Sequence, residues 1–79
     1  MAVSVEVPDL GADMAGGVVA EWYLPDGTAV DSGDVVCRVE CDFVAVEVEA
    51  ERPGVLRHQK PAGSIERPGA VLGLILSPG

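Results

Sequence analysis

Hydrophobic and polar side chains alternate along much of the chain, in short runs that glycine and proline separate. The clearest run is 44–50, in which valine or alanine occupies every second position and the positions between hold Ala45, Glu47 and Glu49. A period of two predicts a strand with one buried and one solvent-facing side. Because no helix start signal is followed by a sustained apolar period of about 3.6 residues, the pattern indicates an all-β fold.

The same runs predict short strands joined by tight turns, since ten glycines and six prolines punctuate the chain. The stretch 35–41 leads directly into 44–50, and a link this short forms only a hairpin tip. The predicted strands cover about 3–7, 17–24, 28–30, 35–41, 44–50, 54–58, 64–66 and 70–76.

An internal repeat relates the two halves of the chain at an offset of 36 or 37 residues. Two copies are too few for a solenoid, but they suit a pseudo-two-fold β-sandwich or flattened barrel in which each half covers the other's apolar face. A chance match of common turn residues is the alternative. The repeated segments are Gly17-Val18-Val19 with Gly54-Val55-Leu56, Pro25-Asp26-Gly27 with Pro61-Ala62-Gly63, and Gly33 with Gly69.

Length and composition restrict the function. A chain of 79 residues with 4% aromatic side chains is expected to form one domain over 1–79, with an aliphatic core and no deep catalytic cleft. No apolar run reaches the ~20 residues of a membrane span, and the N-terminus lacks the pattern of a signal peptide. We therefore expect a cytoplasmic location without membrane contact.

The charge is negative overall and unevenly distributed. Residues 1–51 carry a net charge of −11, residues 52–79 carry +3, and the whole chain carries −8. This surface would repel DNA or RNA, so we expect no nucleic-acid binding and a protein partner with a basic docking surface.

Two cysteines fall in one predicted strand. At ~3.3 Å per residue the Cα atoms of Cys37 and Cys41 lie about 13 Å apart, beyond the ~7 Å limit for a disulfide. Free thiols fit a reducing compartment, and Cys37 is expected to behave as a small buried hydrophobe. Together with one histidine, the cysteines do not complete the ligand set of a usual zinc site, so no metal is predicted.

Motifs spread over nearly the whole chain follow the spacing of a known family. They are Val7-Pro8-Asp9-Leu10-Gly11, Trp22 before the turn Pro25-Asp26-Gly27, Val30, the stretch 40–50, and Gly54-Val55-Leu56. This set resembles the lipoyl/biotinyl carrier-domain family, and most closely the lipoyl domains of dihydrolipoyl acyltransferases in 2-oxo acid dehydrogenase complexes. The resemblance implies a flattened barrel of two four-stranded antiparallel sheets, a carrier function, and a partner of the 2-oxo acid dehydrogenase or lipoyl-handling type.

The chain departs from that family at the residue on which carrier function depends. The family joins lipoate through an amide bond to the lysine of an Asp-Lys-Ala motif, and the corresponding triplet here is Asp42-Phe43-Val44. A phenyl ring has no amine, and the methionine-flanked lysine of biotinyl domains is also missing. We therefore predict no attached cofactor, because the lipoate that the family implies cannot be joined at Phe43.

The hairpin tip is predicted to contact a protein partner. Phe43 could enter an apolar pocket of that partner, as aromatic hot-spot residues do. Alternatively its ring folds back onto the sheet, the position is a former attachment site that has drifted, or phenylalanine replaces lysine to block modification. The acidic side chains around the tip, with no base close by in the sequence, form either a solvated face or a surface that steers a basic partner. The predicted contact residues are Glu40, Cys41, Asp42, Phe43, Val44, Glu47 and Glu49, with Glu51 in the same acidic cluster.

Three other residues are weaker candidates. Cys41 offers a thiol beside the tip that could carry an acyl group, although the neighbouring Glu40 and Asp42 disfavour its thiolate form. Lys60, the chain's one lysine, lies at another turn and is expected to be solvated. His58 has no recognisable nucleophile or triad context in the sequence.

The sequence thus favours a stand-alone carrier-like module that is not an enzyme and acts through protein–protein contact at the hairpin tip. The alternative is a genuine acyl or electron carrier of a 2-oxo acid dehydrogenase-type system, modified elsewhere or with its lysine replaced in the expressed chain. A third hypothesis, an enzyme that uses Cys41, comes with no identifiable substrate.

Overall fold

The fold is built from short strands and tight turns. The computed structural model describes residues 1–9, 15–42 and 44–77. The strands are β1 (Ala2–Glu6), β2 (Gly17–Trp22), β3 (Ala29–Val30), β4 (Val35–Cys41), β5 (Val44–Glu49), β6 (Gly54–His58), β7 (Ile65–Glu66) and β8 (Val71–Leu76). They form two four-stranded antiparallel sheets, ordered β1-β8-β6-β3 and β5-β4-β2-β7. The predicted all-β fold of two four-stranded sheets is confirmed, and each strand lies within two residues of its predicted ends.

A pseudo-two-fold relation between the two halves of the chain is also confirmed. Each strand of the first half has a counterpart in the second half: β1 with β5, β2 with β6, β3 with β7, and β4 with β8. When every strand is exchanged with its counterpart, the strand order of one sheet becomes that of the other. Turn contacts repeat in the same way: Gly27 N donates to Leu56 O and Gly63 N donates to Val19 O, both at 2.7 Å. Gly27 and Gly63 have φ values of 88° and 93°, a region that glycine enters without steric cost. The repeated segments are therefore structurally equivalent.

The core lies between the two sheets and is mainly valine. None of the buried side chains in the described part of the chain is polar or charged. Trp22 is only partly buried and packs against the edge of this core. Aliphatic residues therefore fill the interior, as the composition predicts. The buried set is Val5, Val7, Val19, Val30, Val36, Cys37, Val39, Val48, Ala50, Leu56, Leu72 and Ile75.

Bulges interrupt the simple alternation in two equivalent strands. The register of β4 shifts between Val35 and Cys37 against β5, so Val36 and Cys37 are buried one after the other. In β8 the same arrangement buries Leu72 and then Gly73. An extra residue in one strand of a pair bends that strand and turns neighbouring side chains to the same side. A period-two pattern does not predict these consecutive buried positions.

The β4–β5 hairpin and the chain termini lie at opposite ends of a molecule 39 Å long and about half as wide. At one end, Cys41 pairs with Val44. At the other, Ser77 N donates to Met1 O at 2.9 Å, beside the pairing of Ala2 with Leu76. The hairpin connection therefore lies at the end of the molecule away from the termini.

Candidate functional site: the β4–β5 hairpin

The hairpin connection is as short as a β-hairpin allows. Because Cys41 pairs with Val44, the connection consists of positions 42 and 43 alone. Asp42 is exposed and has a φ of 48°, the left-handed conformation that two-residue type I′ turns require and that aspartate tolerates. Phe43 lies outside the described residues, so its predicted exposure stays a prediction. The described flanks agree with the predicted position of the tip.

Exposure along β5 increases towards the tip. Ala50 and Val48 are buried, Val46 is half-buried, and Val44 is 40% exposed, although all four occupy alternate positions on the inner side. The predicted alternation is thus confirmed, but the sandwich no longer covers the last valine. An aliphatic side chain without cover at the end of a hairpin is available for contact with another protein.

An arginine at the centre of the outer face connects several of the acidic residues near the tip. Arg38 Nε lies 3.0 Å from Glu40 Oε2, as an ion pair without hydrogen-bond alignment, and Arg38 Nη1 lies 3.7 Å from Glu21 Oε1. Arg38 Nη1 also donates to the Tyr23 hydroxyl, which donates to Glu47 Oε2, each at 3.4 Å. The prediction that no base lies near the acidic cluster is wrong. Residues two apart in a strand share a face, and the register sets Glu21 and Glu47 opposite Arg38.

The two cysteines have different environments, and both are free thiols. Cys37 is fully buried, and burial raises the pKa of its thiol to about 11, so it is protonated at neutral pH. Its predicted role as a buried hydrophobe is confirmed. Cys41 is half-buried, and its Sγ donates to the Gly16 carbonyl at 2.8 Å. This hydrogen bond therefore joins the end of β4, beside the tip, to the segment that leads into β2.

Lys60 and His58 lie in a separate cluster around Trp22. The Lys60 carbonyl accepts a hydrogen bond from Trp22 Nε1 at 2.8 Å. The indole ring stacks on His58 with centroids 4.0 Å apart. Trp22 pairs with Cys37, which lies four residues before the end of β4. At ~3.3 Å per residue, this pair is about 13 Å from the tip. The structure does not bring either residue to the hairpin.

Hydrogen bonds give His58 a structural role. His58 Nε2 lies 2.8 Å from the Leu24 carbonyl, and the His58 amide donates to Asp26 Oδ1 at 2.7 Å. This amide, together with the nearby Arg57, lowers the pKa of Asp26. His58 therefore stabilises the turn before β3. The stacking of Trp22 on His58 gives a structural reason for the tryptophan that precedes this turn in the sequence.

The hairpin chemistry does not fit the covalent attachment of a lipoyl or biotinyl group. Such attachment needs a side-chain amine, and residues 40–44 of the sequence contain none. Over the described ranges, no group of three or more acidic, histidine or cysteine side chains is arranged to hold a metal ion. A search of the same ranges for a helix long and apolar enough to cross a membrane finds none. The available chemistry is an aliphatic and acidic surface.

Comparisons with known proteins agree with this architecture. The biotin/lipoyl family profile, described as "Biotin-requiring enzyme", matches residues 3–72. The chain is 33% identical, over 90% of its length, to the dihydrolipoyllysine-residue succinyltransferase component of the 2-oxoglutarate dehydrogenase complex of Bacillus subtilis. It is 37% identical, over 81% of its length, to the dihydrolipoyllysine-residue acetyltransferase component of the pyruvate dehydrogenase complex of Rhizobium meliloti.

These enzymes are much longer than the chain, which covers 17% of the first and 14% of the second. A solved structure of similar size also matches. It is the lipoyl domain of the 2-oxoglutarate dehydrogenase complex from Azotobacter vinelandii, with a TM-score of 0.78, 31% identity, and coverage of 98% of this chain and 99% of that domain. The chain therefore belongs to the biotin/lipoyl carrier-domain family and has the fold of a lipoyl domain.

Proposed function

We propose that the protein is a lipoyl-type module without an attached group, which acts non-catalytically by presenting its hairpin tip to a protein partner. The observation that carries this proposal is the combination of a two-residue hairpin connection, at the end of the molecule away from the termini, with the sequence Asp42-Phe43-Val44 at that tip. A carrier needs a nucleophilic amine there, and phenylalanine supplies an aromatic ring instead. Position 43 thus takes the place of the attachment lysine.

The partner that this tip fits has an apolar pocket with a basic rim. Phe43 is aromatic and Val44 is exposed, and the acidic residues Asp42, Glu40 and Glu47 lie within four positions of them in the hairpin, Glu40 as the ion-pair partner of Arg38. An aromatic side chain buried in a partner's pocket contributes much of the binding energy of an interface, whereas charges at the rim mainly raise the association rate. Enzymes that handle lipoyl domains, among them components of 2-oxo acid dehydrogenase-type complexes, are the partners that the family likeness supports.

Phe43→Ala should weaken binding to such an enzyme by roughly 30-fold, because truncating a buried aromatic hot spot costs about 2 kcal/mol or more. Glu47→Lys should weaken it several-fold, with a loss that shrinks at high salt, because a rim charge acts through screened electrostatics. The measurement is a calorimetric or fluorescence titration of each variant with a purified decarboxylase component of a 2-oxo acid dehydrogenase complex.

Asp31→Lys provides the matched control. It makes the same change of charge as Glu47→Lys, but Asp31 is exposed in the turn before β4, and the start of β4 is about 20 Å from the tip at ~3.3 Å per residue. Its affinity should equal that of the unaltered chain. Equal affinities for all four proteins would remove the tip as the contact surface.

A further inference from the structure

A groove separates the outer strand of one sheet from the outer strand of the other. It lies between β1 and β5 and has a volume of about 780 Å³. Val5, Val7 and Val48 line it and are buried, so its floor is apolar. Of the thirteen described residues around it, five are acidic and none is basic. The acidic residues are Glu6, Asp9, Glu47, Glu49 and Glu51.

The β5 side of the groove presents unpaired main-chain groups. Ala50 N donates to Asp34 O and Ala50 O accepts from Gly33 N, both at 2.8 Å, so the main-chain groups of Ala50 point towards β4. In an antiparallel strand successive residues bond to opposite sides. The N–H and C=O groups of Glu49 and Glu47 therefore point away from β4, towards the open edge. This is the arrangement that an added strand requires.

The negative charge beside this edge is largely uncompensated. Glu6, Glu49 and Glu51 are exposed, and none of them has a cationic partner among residues 1–9, 15–42 and 44–77. Glu47 accepts a hydrogen bond from the Tyr23 hydroxyl. A strand laid along β5 would therefore be held by main-chain hydrogen bonds and attracted by carboxylates on both sides of the groove.

We propose that the β1–β5 groove binds an extended, lysine- or arginine-rich segment of another protein, which adds to β5 as a further strand. Charge excludes a second copy of this chain as the occupant, because pairing two β5 edges would set Glu47 and Glu49 against further carboxylates. The opposite edges, β3 and β7, are two residues long each and offer no comparable template. This site shares Glu47 with the surface beside the hairpin tip, but it does not depend on the function proposed for the tip.

Amide hydrogen exchange and NMR titration with a seven-residue peptide of alternating lysine and valine test this site. We expect salt-sensitive binding, with slowed exchange at the amides of Glu47 and Glu49. The same lysine–valine peptide with a methyl group on every main-chain nitrogen carries the same charge but has no main-chain N–H group to donate, and it should bind at least about tenfold more weakly. Equal affinity for the two peptides, or unchanged exchange at both amides, would overturn strand addition.

Charge variants distinguish the groove from the acidic surface in general. The double variant Glu6→Lys, Glu51→Lys should weaken binding of the lysine–valine peptide on the order of tenfold, since each reversal turns an attraction into a repulsion. Glu21→Lys, Glu66→Lys changes the net charge equally on β2 and β7, the two strands of that sheet furthest from β5, and should have little effect. Phe43→Ala should leave peptide binding unchanged, so failure of the tip proposal and failure of this one are separable. Equal losses in both double variants would contradict a groove-specific site.

Discussion

Phe43→Lys is expected to change the chain from one that a lipoyl ligase leaves unmodified to one that it modifies almost completely. The strands that flank the tip pair up to Cys41 and Val44, and the overall fold matches that of a lipoyl domain, so we expect the amine that forms the amide bond to be the missing component. Co-expression with a lipoyl ligase, followed by intact-mass measurement, should show the lipoyl increment on the variant.

Phe43→Arg is the matched control for this experiment. Arginine restores a long, positively charged side chain, but its guanidinium group stays protonated and is not acylated, so the mass should stay that of the polypeptide. If the lysine variant also stays unmodified, the tip has lost more than its amine. The ligase must then be excluded by another feature, such as the Asp42 or Val44 side chain.

Gly73→Ala should destabilise the fold severely, although it adds only one methyl group. Gly73 lies in β8, a central strand between β1 and β6, and an added Cβ would meet the Arg57 carbonyl and lie 3.3 Å from the Trp22 ring. A main-chain oxygen in a sheet cannot move aside without breaking its ladder. We expect a loss of about 3 kcal/mol or more in the free energy of unfolding, at the upper end of overpacking effects.

Gly27→Ala is the control for Gly73→Ala, because it replaces a glycine without creating a steric overlap. A Cβ at Gly27 would meet nothing within 4 Å, and only the φ of 88° is unfavourable for alanine. Its expected cost is about 1 kcal/mol. For a domain of this size each kcal/mol lowers Tm by roughly 4–8 °C, so thermal unfolding should distinguish the two variants clearly. A smaller loss for Gly73→Ala than for Gly27→Ala would contradict the packing around Trp22.

Local pattern was sufficient to predict the strands and the hairpin. Alternating residues in 44–50 and the short link before them determine a hairpin without reference to the rest of the chain. The repeat predicted the two-fold arrangement because equivalent turns need the same residue. The turns at Gly27 and Gly63 both require a positive φ, so glycine occurs at both positions and the repeat is visible in the sequence.

Features that depend on neighbours from different strands were not predictable in this way. The contacts of Arg38 with Glu21 and with Tyr23 follow from the register of β2 against β4, which the sequence does not state. The β1–β5 groove is lined by segments that are about forty residues apart in the sequence and belong to different sheets. The consecutive burial of Val36 and Cys37 depends on a bulge. Each of these needs the assembled sheets before it can be recognised.

The most direct test of the proposed function is the intact mass of the unaltered chain after co-expression with a lipoyl ligase and, separately, with a biotinyl ligase. We predict the mass of the bare polypeptide in both cases, because the tip residues 40–44 offer no amine to acylate. A lipoyl or biotinyl increment on the purified protein, traced by peptide mapping to any residue, would show that the chain is a true carrier and would contradict the proposal.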